Sequence, residues 1–482
     1  MMKKNIGPII NSTKRAFTTR DSLGIESVLT SIQAEICPIV NTVTPRAFYW
    51  AMINWCYFDY YENHNKEDRT KSNVNKYIKR NNYFFLLSQL LKKGKTDGFV
   101  GVNGVFADFS KDKYEYNENY VETALSTMVY YPPGLNEMGM VVQQDETGSF
   151  NNPKLRPECK KFAEAFASKI SNTNYYNNRF SNLPVNKKDL VELGKIIDIS
   201  LDGFDECKEI LRDHLFNRKY TFRLAQCKDL INYTYKKYET DFSSESNCRH
   251  VLYDYYSPRS ENKELTKELK NIADSWEIAI GRQYFTMGLE IIWNYMLNVL
   301  KEPLTIFDWI KECLNKEKGN IDFDSNLSSI LERQNLDFNE RETIIETERS
   351  GRSKGKSIEH GLNIMLSVYN RFLNRNDINE EIYRYCSIGN SKDQFSLTEF
   401  FDMVENYKNK SIKSFLEVIM KEKLIKQHLN TAFEKMLNNR DGYYIEEIDG
   451  KYIKVHDFEL KYQGLRLVQL FNIMKDLDIL GK

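Results

Sequence analysis

The run from 262 to 300 constrains this chain most. Trp276, Ile280, Tyr284, Met287, Ile291 and Tyr295 recur at steps of four and three, and Phe285, Leu289, Ile292 and Met296 cover the other faces. A helix that is apolar all round must be enclosed by other elements. Arg282 and Glu290 lie inside it, and buried charges of this kind need partners that set the register of a core. Pro303 ends the helix. A second helix of the same kind is expected from Arg46 to about Glu62. Thr44-Pro45 provides a capping hydroxyl followed by a first-turn proline. Its longest uncharged stretch, Ala47 to Phe58, is about half of what a bilayer requires, so no transmembrane segment is expected.

Two such helices need a large helical body around them. The 482 residues carry 41% hydrophobic side chains, enough to build one, and only 10 prolines and 22 glycines, which argues against a β-sandwich. Length alone suggests two to four domains as a soft prior. Further helices are expected after Asp21-Ser22, over 75–93, from Pro157 through Ile170, and at 187–197, 205–216 and 219–238. More follow at 358–373, 378–386, 396–406 (opened by the Ser396-x-x-Glu399 capping box) and 410–438, with a last amphipathic helix using Leu465 to Met474. Residues 132–153 read as a long surface loop. Gly94, Gly98, Gly101 and Gly104 mark turns around a short strand that uses Phe99, Val100, Val102, Val105 and Phe106. The clearest β element is Tyr443–Val455, where alternation flanks Asp449-Gly450 and predicts a type I′ hairpin.

The expected fold is therefore mainly α: a multi-helix body with a small winged-helix-like C-terminal module carrying one β-hairpin. The expected division is 1–155, an N-terminal helical domain with the aromatic core helix; 156–348, a central helical domain; 349–357, a mobile basic linker; and 358–482, the C-terminal module with hairpin 443–455. A winged helix serves DNA binding and protein docking alike, so it decides no function by itself.

Charge and cysteine usage narrow the function classes. The 68 Lys and Arg balance the 68 Asp and Glu, which argues against a protein that coats nucleic acid over its whole surface but allows a local basic patch. The eight cysteines contain no C-x-x-C pair and read as reduced core thiols of a cytoplasmic protein. The first twenty residues are basic and without acids, but Gly7-Pro8 breaks any amphipathic helix and no apolar run follows, so an N-terminal arm is expected rather than a targeting peptide.

The motifs that would carry chemistry each fall short. Gly351-Arg352-Ser353-Lys354-Gly355-Lys356-Ser357 lacks the first glycine of a phosphate loop and follows a charged helical pattern rather than a strand. Its cations, Arg349, Arg352, Lys354 and Lys356, are candidate nucleic-acid-binding residues. Asp322-x-Asp324-x-Asn326 begins like a calcium loop, but Leu327 and Arg333 stand where glycine and glutamate are needed. Asp324 or Ser325 is expected to cap the next helix instead. The six histidines are too far apart for a zinc pair, and no metal, cofactor or catalytic residue is assigned. Among five Glu-x-Lys triplets, only Glu459-x-Lys461 follows a predicted strand, with Asp449 upstream. That trio defines the alternative of a Mg²⁺-dependent nuclease.

Four short patterns resemble those of accessory subunits of bacterial anti-phage defence systems, Lamassu-like or similar. They are Leu23-Gly24-Ile25 with Thr42 to Trp50; Leu155 to Phe166 followed by Ile170; His428, Ala432 and Lys435 leading into the Asp449-Gly450 hairpin; and Arg466-Leu467 with Lys475 to Leu480. They cover well under a quarter of the chain, and Asp478 stands where the family pattern would have glycine. The resemblance implies a non-catalytic accessory or scaffold component of a bacterial, cytoplasmic defence complex. It would dock on a partner such as an SMC-like ATPase or effector nuclease, with a possible DNA contact and no membrane. The alternatives are the nuclease above and a stand-alone winged-helix-like DNA-binding protein.

Overall fold

The computed structural model describes residues 21–65, 68–94, 99, 105–117, 124–142, 154–239, 241–255, 265–331, 335–373, 375–389, 394–437 and 442–481. These are mainly helical, and their strands form three two-stranded pieces. The chain divides into two compact units. Unit 1 takes the described residues of Met1–Ile32, Leu252–Lys263 and Ala273–Gln463; unit 2 takes those of Gln33–Val251, Glu264–Ile272 and Gly464–Lys482. The N-terminal arm, Gly98, Val100, Gly101, Val102 and Gly104 lie outside the described residues, as do 143–153. Val105 and Phe106 are described and lie in no strand.

In unit 2 the aromatic helix spans Phe48–Asn63 and is buried on nearly every side. Thr44 does not cap it. Its hydroxyl closes the preceding turn, accepting from the Asn41 N–H and donating to the Asn41 carbonyl, both at 2.9 Å. The cap arrives from the far end of the chain: Asp476 accepts from the Ala47 N–H at 3.0 Å and from Arg46 at 2.7 and 3.0 Å. A carboxylate is favoured there because the first-turn N–H groups point at it. Phe48, Trp55 and Phe85 gather around Phe166 of helix Pro157–Ile170, which begins at its proline as expected. Helix Lys71–Lys93 starts four residues earlier than expected because Thr70 caps it. It approaches helix Lys187–Ile196 so closely at Gly194 that a Cβ there would sit 2.5 Å from the Ser88 carbonyl. Residues 132–137, expected in a loop, belong to helix Ala124–Glu137 despite Pro132 and Pro133. Burial of Tyr131 and Leu135 outweighs the lost backbone bonds.

The enclosed helix is observed as Lys267–Val299; from Ala273 on it belongs to unit 1, and its seam residues Trp276 to Met287 there are buried. Arg282 donates to the Phe395 carbonyl at 2.5 Å, and more weakly to those of Ile25 and Gln394 at 3.4 Å. Its partners are thus main-chain carbonyls. Burial lowers the Arg282 guanidinium to about 9 and raises the Glu290 carboxyl well above its ordinary value. The helix after Asp21-Ser22 starts only at Glu26, because Gly24 takes φ +68°. Asp21 still serves it, accepting from the Glu26 and Ser27 N–H groups.

The hairpin forms as Ile445–Ile448 and Lys451–Lys454, with Asp449 and Gly450 at φ 51° and 76°, the left-handed pair a type I′ turn demands. Its second strand is bridged by Leu304 through Tyr452, a segment outside 358–482. The expected 410–438 helix is one run whose middle, Ile419–Ile425, is a π turn. Neither Asp324 nor Ser325 caps a helix. The Asp324 N–H folds onto the Asp322 carboxylate, and the Ser325 hydroxyl donates to the Asp322 carbonyl.

Candidate functional site

Helix Ile306–Lys316 carries the exposed Phe307 and borders a cavity. Thr305 caps it, accepting from the Asp308 N–H at 3.2 Å. Trp309, Ile310, Cys313 and Leu314 face the core at helical spacing, and the Trp309 indole donates to the Met296 carbonyl at 2.9 Å. Phe307 lies off that stripe and is 74% exposed. Ile306, Phe307, Ile310 and Leu314 line a groove of about 640 Å³ together with Phe323 and Val418. The rim carries both signs: Lys311, Lys413 and Lys421 with Asp324, Glu417 and Glu422. Glu422 is already engaged by Lys426 at 3.0 Å, which lowers its pKa.

An apolar trough with a charged rim is the shape that accepts an amphipathic helix. Sequence alone singles out neither Phe307 nor the groove. The signal was there: after the Thr305 cap, Ile306, Trp309, Ile310, Cys313 and Leu314 complete a core stripe, and Phe307 is the large apolar residue beside it.

The candidate nucleic-acid residues come together in one turn. Arg349 ends helix Phe338–Arg349, Ser357 begins helix Ser357–Leu373, and Gly351, Lys354 and Gly355 take left-handed φ between them. The turn is anchored: the Arg352 N–H donates to the Thr347 carbonyl at 2.9 Å, and the Gly355 carbonyl accepts from Lys318 at 2.8 Å. Arg349, Arg352 and Lys354 are exposed and Lys356 is half-buried. Arg349 pairs with Glu346 at 3.6 Å, and the Arg352 Nε donates to the Ser350 hydroxyl at 2.7 Å. Beneath the turn, burial raises Glu317 to about 7 while it accepts from the Ile358 N–H at 3.0 Å.

The nuclease trio is placed differently. Asp449 sits in the hairpin turn, whereas Glu459 and Lys461 pair with each other at 2.7 Å on the surface. Among the described residues, no group of three or more His, Cys, Asp or Glu side chains is placed to hold a metal ion. All eight cysteines are buried, and burial pushes the Cys159, Cys207 and Cys386 thiols up to about 12.

His428 is held as a neutral tautomer. Its Nδ1–H donates to the Ser22 carbonyl at 2.8 Å and its Nε2 accepts from the Tyr444 N–H at 3.1 Å. Burial lowers its pKa to about 4. Between that value and the ordinary 6.5, the unfolded chain binds the proton that the folded chain refuses. Stability therefore falls as pH drops through this window, by about 3 kcal/mol in all. Urea titrations at pH 7 and pH 4.5 will show this contribution, and His428→Gln will flatten the part of the slope it causes. An unchanged slope in that variant would assign the acid sensitivity elsewhere.

Residues in or beside two pairs of the sequence patterns meet in space. In unit 1, Lys435 donates to the Asp21 carbonyl at 2.7 Å, and a Cβ on Gly24 would lie 2.6 Å from the Thr431 hydroxyl. In unit 2, Arg46 and Asp476 form the cap described above. Comparison with protein-family models, curated proteins and solved structures finds no match. No helix among the described residues is long and apolar enough to cross a membrane.

Proposed function

We propose that this chain is a non-catalytic accessory or scaffold component of a bacterial, cytoplasmic anti-phage defence complex. It docks on a partner such as an SMC-like ATPase or effector nuclease. The observation that supports docking is the groove beside Phe307: the exposed ring, with Lys421 5.9 Å over it, adjoins the apolar residues that line a cavity, so the apolar surface is contiguous rather than scattered. The occupant is an amphipathic helix of the partner, its apolar stripe in the trough and its flanking charges against Lys311, Lys413, Glu417 and Lys421. The cationic turn at 349–356 supplies the surface for a DNA contact within the complex. The defence setting rests on the sequence resemblance, whose paired patterns act here as fold-holding contacts.

The test is affinity purification of the tagged full chain from its native cells, with quantitative mass spectrometry. An ATPase or nuclease subunit should be recovered in proportion with wild type, lost with Phe307→Asp, and kept with Phe222→Asp, another exposed aromatic. Phe307→Asp should also abolish protection against phage in a plaque assay. Equal recovery with Phe307→Asp would sink the groove as the docking site.

A further inference from the structure

Unit 2 contains a cavity of about 750 Å³ whose lining combines cations with aromatic rings. Helix Lys71–Lys93 presents Lys76, Tyr77, Arg80 and Phe84 to it, at offsets that share one helical face. Tyr60 and His64 close it from the end of helix Phe48–Asn63, and Phe180 from the segment after residue 178. Tyr77 and Phe180 stack at 5.1 Å with rings 21° apart, and His64 lies 4.5 Å from Phe180.

The wall is built from beneath. Asp59, buried, accepts from Arg179 at 2.6 and 2.7 Å and from the Tyr77 hydroxyl at 2.5 Å. That pairing cancels the Arg179 charge and fixes the Tyr77 ring. Arg80 is different: it donates to the carbonyls of Arg179 and Ser181, neutral acceptors that orient its guanidinium without cancelling it. Lys76 is exposed one helical turn away. Two like charges four residues apart disfavour a helix. Glu115 is the one acid in the described lining.

We propose that this cavity binds a nucleotide. The phosphates lie against Lys76 and Arg80, and the base lies against the aromatic wall with the Asn182 amide near its edge, while the Asn73 amide is held by the Asp68 carbonyl at 3.0 Å. The volume is that of a small-molecule site. An oriented arginine beside aromatic faces suits a ligand that is both anionic and planar. This inference concerns unit 2 and does not depend on the docking groove of unit 1.

The test is isothermal titration of the full chain with ATP, AMP, adenosine, inorganic phosphate and a thymidine oligonucleotide. ATP or AMP should bind, while adenosine and phosphate alone bind at least about tenfold more weakly, each lacking half of the recognition. Lys76→Glu, at an exposed position, should leave the melting temperature unchanged and weaken ATP at least about tenfold. Arg80→Gln should weaken it further; if that variant fails to fold, Lys76→Glu decides. Absence of ATP and AMP binding at millimolar concentration would overturn the proposal. So would equal ATP affinity in Lys76→Glu, or binding of the oligonucleotide alone.

Discussion

Replacing Glu277 with alanine is expected to lower the unfolding free energy by about 3–5 kcal/mol, the usual cost of removing one partner from a buried ion pair. Glu277 is buried on the long helix of unit 1 and receives two arginines. Arg371 donates through Nε to one oxygen at 2.6 Å, and Arg375 donates to the other. Arg375 also binds Asp274 at 2.9 Å and Asp377 at 2.7 Å, while Arg371 lies 3.8 Å over the Tyr253 ring. Alanine removes the buried carboxylate that both arginines share; Arg375 keeps Asp274 and Asp377, so the loss falls mainly on the Arg371 contact and on the shared network. Glu277→Gln should be milder, because the amide oxygen still accepts. Urea unfolding at neutral pH measures both. A loss under about 1 kcal/mol for Glu277→Ala would mean that the arginines turn outward and that the network is not confined.

Gly361→Val is expected to cost about 3 kcal/mol or more, through a different mechanism. Helices Lys267–Val299 and Ser357–Leu373 cross where both lack a side chain. A Cβ on Gly361 would stand 2.6 Å from the Gly288 carbonyl oxygen, and one on Gly288 would stand 2.8 Å from the Gly361 carbonyl oxygen. Main chain faces main chain, so no flexible tip can move aside. Gly361→Ala should cost less, since alanine regains about 1 kcal/mol of helix propensity. A more stable Gly361→Ala protein, read from its thermal midpoint, would show that the helices can part at no cost.

The sequence shows Gly288 and Gly361 only as glycines inside helical patterns, and nothing local relates them. The same holds for Asp476. Its place near the end of an amphipathic helix gives no hint that it caps a helix 429 residues earlier. Arg282 and Glu290 could be marked as buried charges, because the helix around them is apolar on every face. Their partners could not be read: Arg282 is held by carbonyls of Ile25, Gln394 and Phe395, which have no sequence signature. The basic turn was legible as cations and glycines. Its anchoring to helix ends and to Lys318 was not, so it read as a linker.

For the candidate site the division falls in the same place. The sequence alone determined that this chain is mainly helical, that two of its helices are enclosed, and that Asp449-Gly450 turns a hairpin. Those properties rest on periodicity and on the φ values a few residues accept, and both are local. Only the tertiary structure decided that Phe307 stays uncovered beside a trough, that Arg80 keeps its charge while Arg179 loses its own to Asp59, and that Glu277 holds two arginines. Exposure and charge cancellation depend on which distant side chain arrives, and a residue's neighbours in sequence do not carry that information.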